Sequence, residues 1–79
     1  MAKQSDNIIG KIPPNILEAE EAVLGCILID SEAMSKSMQI LDKDDFYKTA
    51  NATIYENMIF LFEKNYQIDY VTIIERLKK

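Results

Sequence analysis

Apolar residues in this chain recur at three- and four-residue intervals in four separate stretches, the spacing of helices with one buried face. The first stretch predicts a helix from about Asn15 to Leu28. Wound at about 100° per residue, Ile16, Ala19, Val23, Leu24, Cys26 and Ile27 fill one wide arc, while Glu18, Glu21 and Gly25 share the opposite stripe. Upstream, Pro13-Pro14 cannot continue a helix, and the residue before a proline is pushed towards an extended backbone. Asn15 and Glu18 then have the N-cap to N3 spacing of a capping box.

A second helix is expected to open at Asp30 or Ser31, with Met34, Met38 and Leu41 recurring along it. Asp42 to Asp45 is a polar break, and Phe46-Tyr47 is an aromatic pair expected to plug the core from a short turn. The third stretch predicts a helix from about Ala50 to Lys64 that buries Ile54, Tyr55, Met58, Leu61 and Phe62 and ends on a left-handed Asn65. A fourth helix begins after Asp69, with Tyr70, Ile73, Ile74 and Leu77 on one stripe. Alternation of the strand type is never sustained, so the chain reads as all-α, a small orthogonal bundle of about four main helices. Residues 1–12 are polar and aperiodic and read as a flexible arm; residues 13–79 form one helical domain that looks incomplete at its C-terminal end.

Composition narrows the function more than the fold. Thirteen acidic against nine basic residues leave a net charge of −4, the wrong sign for a sequence-independent nucleic-acid binder. The only glycines, Gly10 and Gly25, cannot make a phosphate-cradling P-loop. Without histidine and with the single Cys26, neither a zinc-finger ligand set nor a histidine-based triad can be assembled. The neighbouring carboxylates Glu20-Glu21 and Asp44-Asp45 do not converge on one reacting atom. No apolar run approaches the roughly 18 residues of a membrane span, and Met1 to Gly10 has no apolar stretch of the signal-peptide kind. The chain itself therefore reads as non-enzymatic, with no cofactor or metal site.

Five short motifs in order point to a family. They are Pro14 with Glu18-Ala19-Glu20 and Val23-Leu24-Gly25, then Leu28 and Asp30, Asp45-Phe46-Tyr47, Ile54-Tyr55, and Asp69 with Thr72. In this order and spacing they resemble the N-terminal domain of DnaB-type replicative DNA helicases, from Pro13 to about Leu77. The chain departs from the family pattern at Asn51, where histidine is common, at Gln67, where proline is common, and at Ile16, where a small polar residue is common. The resemblance implies an all-helical docking and assembly module that supports the hexamer collar and helps to dock primase. Its implied partners are other helicase subunits and primase; the acidic balance and the short apolar runs add the expectation of no direct nucleic-acid or membrane contact. It further implies a cytoplasmic setting of bacterial type, or an organelle of bacterial origin. ATP and magnesium would belong to a motor domain of the parent protein.

Four residues stand apart from the simple pattern. Glu20 falls inside the apolar arc of the first helix, which predicts a half-buried carboxylate that accepts hydrogen bonds, against the plainer reading of a wet first turn. Asn51 lies on the buried arc of the third helix and reads as a satisfied polar residue near free helix-start amides. Phe60 projects among Thr53, Glu56, Asn57 and Lys64, outside the arc the core requires, and is the candidate partner-binding residue. Cys26 reads as a small buried apolar residue. Asn15, Glu18, Glu20, Asn51, Phe46, Tyr47, Asp69 and Thr72 are assigned structural roles. A rival function, a small acidic carrier protein modified at Ser31, follows from Asp30-Ser31 opening a helix, although Glu32 follows where an apolar residue is expected.

Overall fold

The computed structural model describes residues 14–78, so the arm expected at 1–12 lies outside the described residues. Helix α1 spans Pro14–Ile29, α2 Glu32–Met38, α3 Thr49–Glu63 and α4 Tyr70–Leu77, with a 3-10 turn at Lys43–Asp45 between α2 and α3. The protein is all-α, with four helices and no strand among the described residues.

Helix α1 starts at Pro14, one residue before the expected boundary. Proline suits that first helical position, because its fixed φ is already helical and its missing N–H is one the helix would leave unpaired. Asn15 consequently lies inside the first turn and Glu18 beyond it, so the expected Asn15–Glu18 capping box does not form. At the start of α2, Asp30 is the residue that caps. The Glu32 amide donates to its Oδ1 at 3.0 Å, and Ser31 makes no side-chain capping bond. The 3-10 turn is held at its ends, with the Asp42 amide donating to Asp45 Oδ2 at 2.7 Å and the Lys43 amide to Asp42 Oδ1 at 2.8 Å.

Asn65 closes α3 at φ 62°. The Tyr66 amide donates to the Leu61 carbonyl at 2.8 Å and the Asn65 amide to the Phe62 carbonyl at 3.1 Å, the pairing of a Schellman stop. Helix α4 opens with a capping box. The Thr72 amide donates to Asp69 Oδ1 at 2.9 Å, and the Asp69 amide to Thr72 Oγ1 at 3.0 Å. Ile68 and Ile73, the two staple positions around this cap, are both buried. Asp69→Ala is expected to cost about 0.5–2 kcal/mol and to loosen α4 first. Its urea midpoint should fall below that of Asp69→Asn, which keeps an acceptor at the cap.

Helix α3 is central and packs against α1, α2, the 3-10 turn and α4. The core comprises Leu24 and Ile27 from α1, Met34 from α2, Phe46, Tyr55, Met58 and Leu61 around α3, and Ile68 and Ile73 at α4. Burying side chains of this size stabilises by about 1.5–3 kcal/mol each. Tyr55, entirely inaccessible, is the hub. Its ring lies 4.8 Å from that of Phe46 at 35°. Its hydroxyl donates to the Leu41 carbonyl at 3.3 Å and shares a hydrogen bond with Ser37 Oγ at 3.1 Å.

Several expected core members lie elsewhere. Cys26 is exposed, Phe62 is 37% exposed, and Tyr47 is 51% exposed while its neighbour Phe46 fills the core alone. In each case helical or turn geometry set the direction of the side chain, but no other element covers that flank.

Candidate functional site

Two features stand out: a buried polar junction that fixes the fold, and an apolar face left open on α4. The junction is built around Glu20, which is 8% exposed in the second turn of α1. Its Oε2 accepts from the Tyr47 amide, and its Oε1 accepts from the Lys48 amide at 3.3 Å and from Asn51 Nδ2 at 2.9 Å. Lys48 is the N-cap of α3 and offers that helix no side-chain acceptor. Glu20 therefore supplies from α1 the acceptor that α3 lacks locally, and its negative charge sits at the favourable end of the α3 dipole. Asn51, 5% exposed, completes the shell.

An ionised carboxylate is an acceptor only, so three converging donors suit it and make no hydrolytic pair. Glu21, the adjacent acid, is exposed and Glu18 likewise. Sequence reasoning singled out Glu20 and Asn51 separately and missed that they bond each other. The available signal was complementarity: one acceptor-only and one amide residue, each alone on an otherwise apolar arc.

Phe60 is not the exposed aromatic expected from its helical angle. It is half-buried and packs against the core. The Arg76 guanidinium lies over its ring at 3.8 Å from the centroid, and Lys64 Nζ stands at 5.7 Å. Arg76 is held there by Nε donating to Asn57 Oδ1 at 3.1 Å, while Asn57 Nδ2 donates to the Thr53 carbonyl at 2.8 Å. The polar flank of α3 thus becomes the seam with α4, because Arg76 in the last turn of α4 reaches across it. Phe60→Ala is expected to lose partial burial and a cation–π contact together, roughly 1–2 kcal/mol. A urea midpoint unchanged from wild type would show that the seam contributes nothing.

The open surface lies on α4. Of the stripe expected to be buried there, only Ile73 is; Tyr70, Ile74 and Leu77 are exposed, and Val71 joins them. Spaced at three and four residues, these side chains form one continuous apolar face. Tyr66, in the turn leading to α4, is exposed as well. Contiguous exposed apolar surface is enriched where proteins meet partners.

Among the described residues, no group of three or more potential metal ligands occurs, and no helix is long and apolar enough to cross a membrane.

Residues 12–79 match the family model described as the DnaB-like helicase N terminal domain. Among similar proteins, the replicative DNA helicase DnaB of Rhodothermus marinus is 37% identical over 89% of this chain and 7% of its own length. The replicative DNA helicase DnaC of Bacillus subtilis is 34% identical over 92% of this chain and 16% of its own. The replicative DNA helicase DnaB of Treponema pallidum is 35% identical over 99% of this chain and 18% of its own. No solved structure matches this chain. The chain thus spans less than a fifth of the length of these relatives, and what it shares with them is the region described above. With its family model matching from the residue before Pro13 to the end, the chain belongs to the DnaB-like helicase N-terminal domain family.

Proposed function

We propose that this chain is a non-catalytic interaction and assembly module of a replicative DNA helicase, contributing to the hexamer collar and to primase docking during DNA replication. The observation that carries the reading is the apolar face of α4 on a domain of this family. The buried junction at Glu20 holds the bundle rigid, so that α4 presents Tyr70, Val71, Ile74 and Leu77 on a fixed scaffold. A neighbouring helicase subunit is the occupant of that face, and primase binds the collar so assembled. Nucleotide turnover and its cofactors, ATP and magnesium, belong to other parts of the helicase, in keeping with the missing P-loop spacing. The setting is cytoplasmic, where replication proceeds.

The test uses the helicase polypeptide that carries this domain. Ile74→Asp puts a charge at the centre of the exposed face without touching a buried residue. It is expected to leave the helical content of the isolated domain unchanged and to weaken assembly by one to a few kcal/mol, read by sedimentation, with primase retention in pull-downs falling alongside. Wild-type sedimentation and primase retention would refute the reading. The carrier alternative has no such support, since the stretch around Ser31 lies inside the match to helicase relatives. An intact mass without a pantetheine increment after incubation with a transferase is the expected outcome.

A further inference from the structure

Helix α4 is the least anchored element of the bundle. Of its eight residues Ile73 alone is buried, and its packing is against α3. Helix α2 is as short, but it packs on both α1 and α3, and its Ala33 and Met38 join Met34 at the core. No half-buried apolar residue of α4 does the same. Isolated helices shorter than about 12–15 residues are marginal in water, so α4 keeps its shape only while docked. The Asp69–Thr72 cap lies within the helix and its lead-in and does not attach it to α3. Attachment falls to Ile68 and Ile73 at the near end and to Arg76 in the last turn. Among the described residues, Arg76 Nε to Asn57 Oδ1, at 3.1 Å, is the one side-chain hydrogen bond between α4 and α3. The guanidinium also stands 3.8 Å from the centroid of the Phe60 ring. Asn57 is oriented to meet it by donating from Nδ2 to the Thr53 carbonyl at 2.8 Å.

We propose that α4 swings off α3 as one unit while the other helices stay folded, and that the Arg76–Asn57–Phe60 contact is the latch that sets how rarely it does so. The pivot is the irregular connection that follows the Schellman stop at Asn65 and runs to Asp69. Detachment breaks one helix–helix interface. It leaves in place the core that α1 and α2 build around Tyr55 and Met58. Local opening of this kind occurs where buried apolar contacts are few. Released from α3, α4 loses its helix, and Ile68, Ile73 and Phe60 are uncovered beside the apolar face already exposed. The latch therefore sets how much apolar surface this end of the bundle presents. It is a property of this chain alone and holds whichever partner meets α4.

Native-state hydrogen exchange on the full 79-residue chain, with no partner added, tests this. The amides of Ile73 to Leu77 are expected to share one level of protection, roughly tenfold or more below that of Tyr55 and Met58. Two kinds of variant separate local opening from global unfolding. Tyr55→Phe weakens the core in the docked and the opened state alike, so it should lower protection at Met58 and leave α4 unchanged. Arg76→Ala weakens the docked state alone, so protection of α4 should fall, roughly three- to tenfold for the lost hydrogen bond and ring contact. Asn57→Ala removes the acceptor without altering α4 and should lower α4 protection in the same direction. Protection on α4 equal to that of Met58, and falling with it in Tyr55→Phe, would overturn the proposal, since α4 would then open only with the whole bundle. So would protection graded residue by residue along α4, which is fraying in place. Unchanged α4 protection in both Arg76→Ala and Asn57→Ala would remove the latch.

Discussion

Glu20→Ala is expected to lower the unfolding free energy by roughly 1–3 kcal/mol, while Glu21→Ala, one residue along, should stay within about 0.5 kcal/mol. The two differ in surroundings and not in chemistry. Glu21 is exposed, whereas Glu20 accepts from the Tyr47 and Lys48 amides and from Asn51 Nδ2. Truncation at Glu20 leaves those three donors without their acceptor in a site that is largely closed to water. A domain of this size has only a few kcal/mol to about ten in total, so the loss is a large fraction. Glu20→Gln should fall between, since its amide oxygen still accepts but its nitrogen has no acceptor to donate to. In a double-mutant cycle with Asn51→Ala the losses should not add, because both variants remove the same bond. Equal urea midpoints for Glu20→Ala and Glu21→Ala would mean that the junction is not formed in solution.

A still larger effect is expected at the hub of the core. Tyr55→Ala removes a ring that is wholly inaccessible and packed at a tilt against Phe46. Emptying an aromatic site of this kind costs about 3–5 kcal/mol, comparable with the entire stability of a 79-residue chain. The expected result is loss of dispersed amide signals, with residual helix by circular dichroism. Tyr55→Phe isolates the hydroxyl, which bonds the Leu41 carbonyl and Ser37 Oγ. That variant should fold and lose about 0.5–1.5 kcal/mol. A Tyr55→Ala chain as cooperative as wild type would contradict the assignment of Tyr55 to the centre of the fold.

Helix number, order and approximate bounds were legible from apolar spacing because each helix must bury one stripe. The helix start after Asp69 and the left-handed Asn65 were legible for a local reason: both depend on contacts within a few residues. The width of each buried stripe was not. On α1 the apolar arc was broad, yet only Glu20, Leu24 and Ile27 are buried, a strip of i, i+4 and i+7. On α3 the strip is Asn51, Tyr55, Met58 and Leu61. Each strip begins at the polar residue that bonds the other, so the Glu20–Asn51 contact sits where the two buried strips start.

Phe60 and the α4 stripe reversed their expected roles because periodicity along one helix does not reveal which flank a neighbour occupies. Helix α4 settles on the side of α3 that carries Phe60 and brings Arg76 across it. In doing so it buries Ile73 and leaves Tyr70, Ile74 and Leu77 uncovered. Phe60 is therefore part of the α3–α4 seam, and the uncovered apolar side chains lie on α4. No arithmetic on helical angle could separate the two, because the difference lies in how the helices pack.

The proposed function requires the uncovered face of α4 to meet another subunit in the assembled helicase. Site-specific photo-cross-linking tests it most directly, with a photoreactive phenylalanine at Tyr70 in the intact helicase and, as control, at Glu56 on the exposed side of α3. Irradiation is expected to join Tyr70-labelled subunits to one another while Glu56-labelled subunits remain single. Cross-links confined to the same polypeptide at Tyr70, or equal yields at both positions, would show that the α4 face is not the assembly surface.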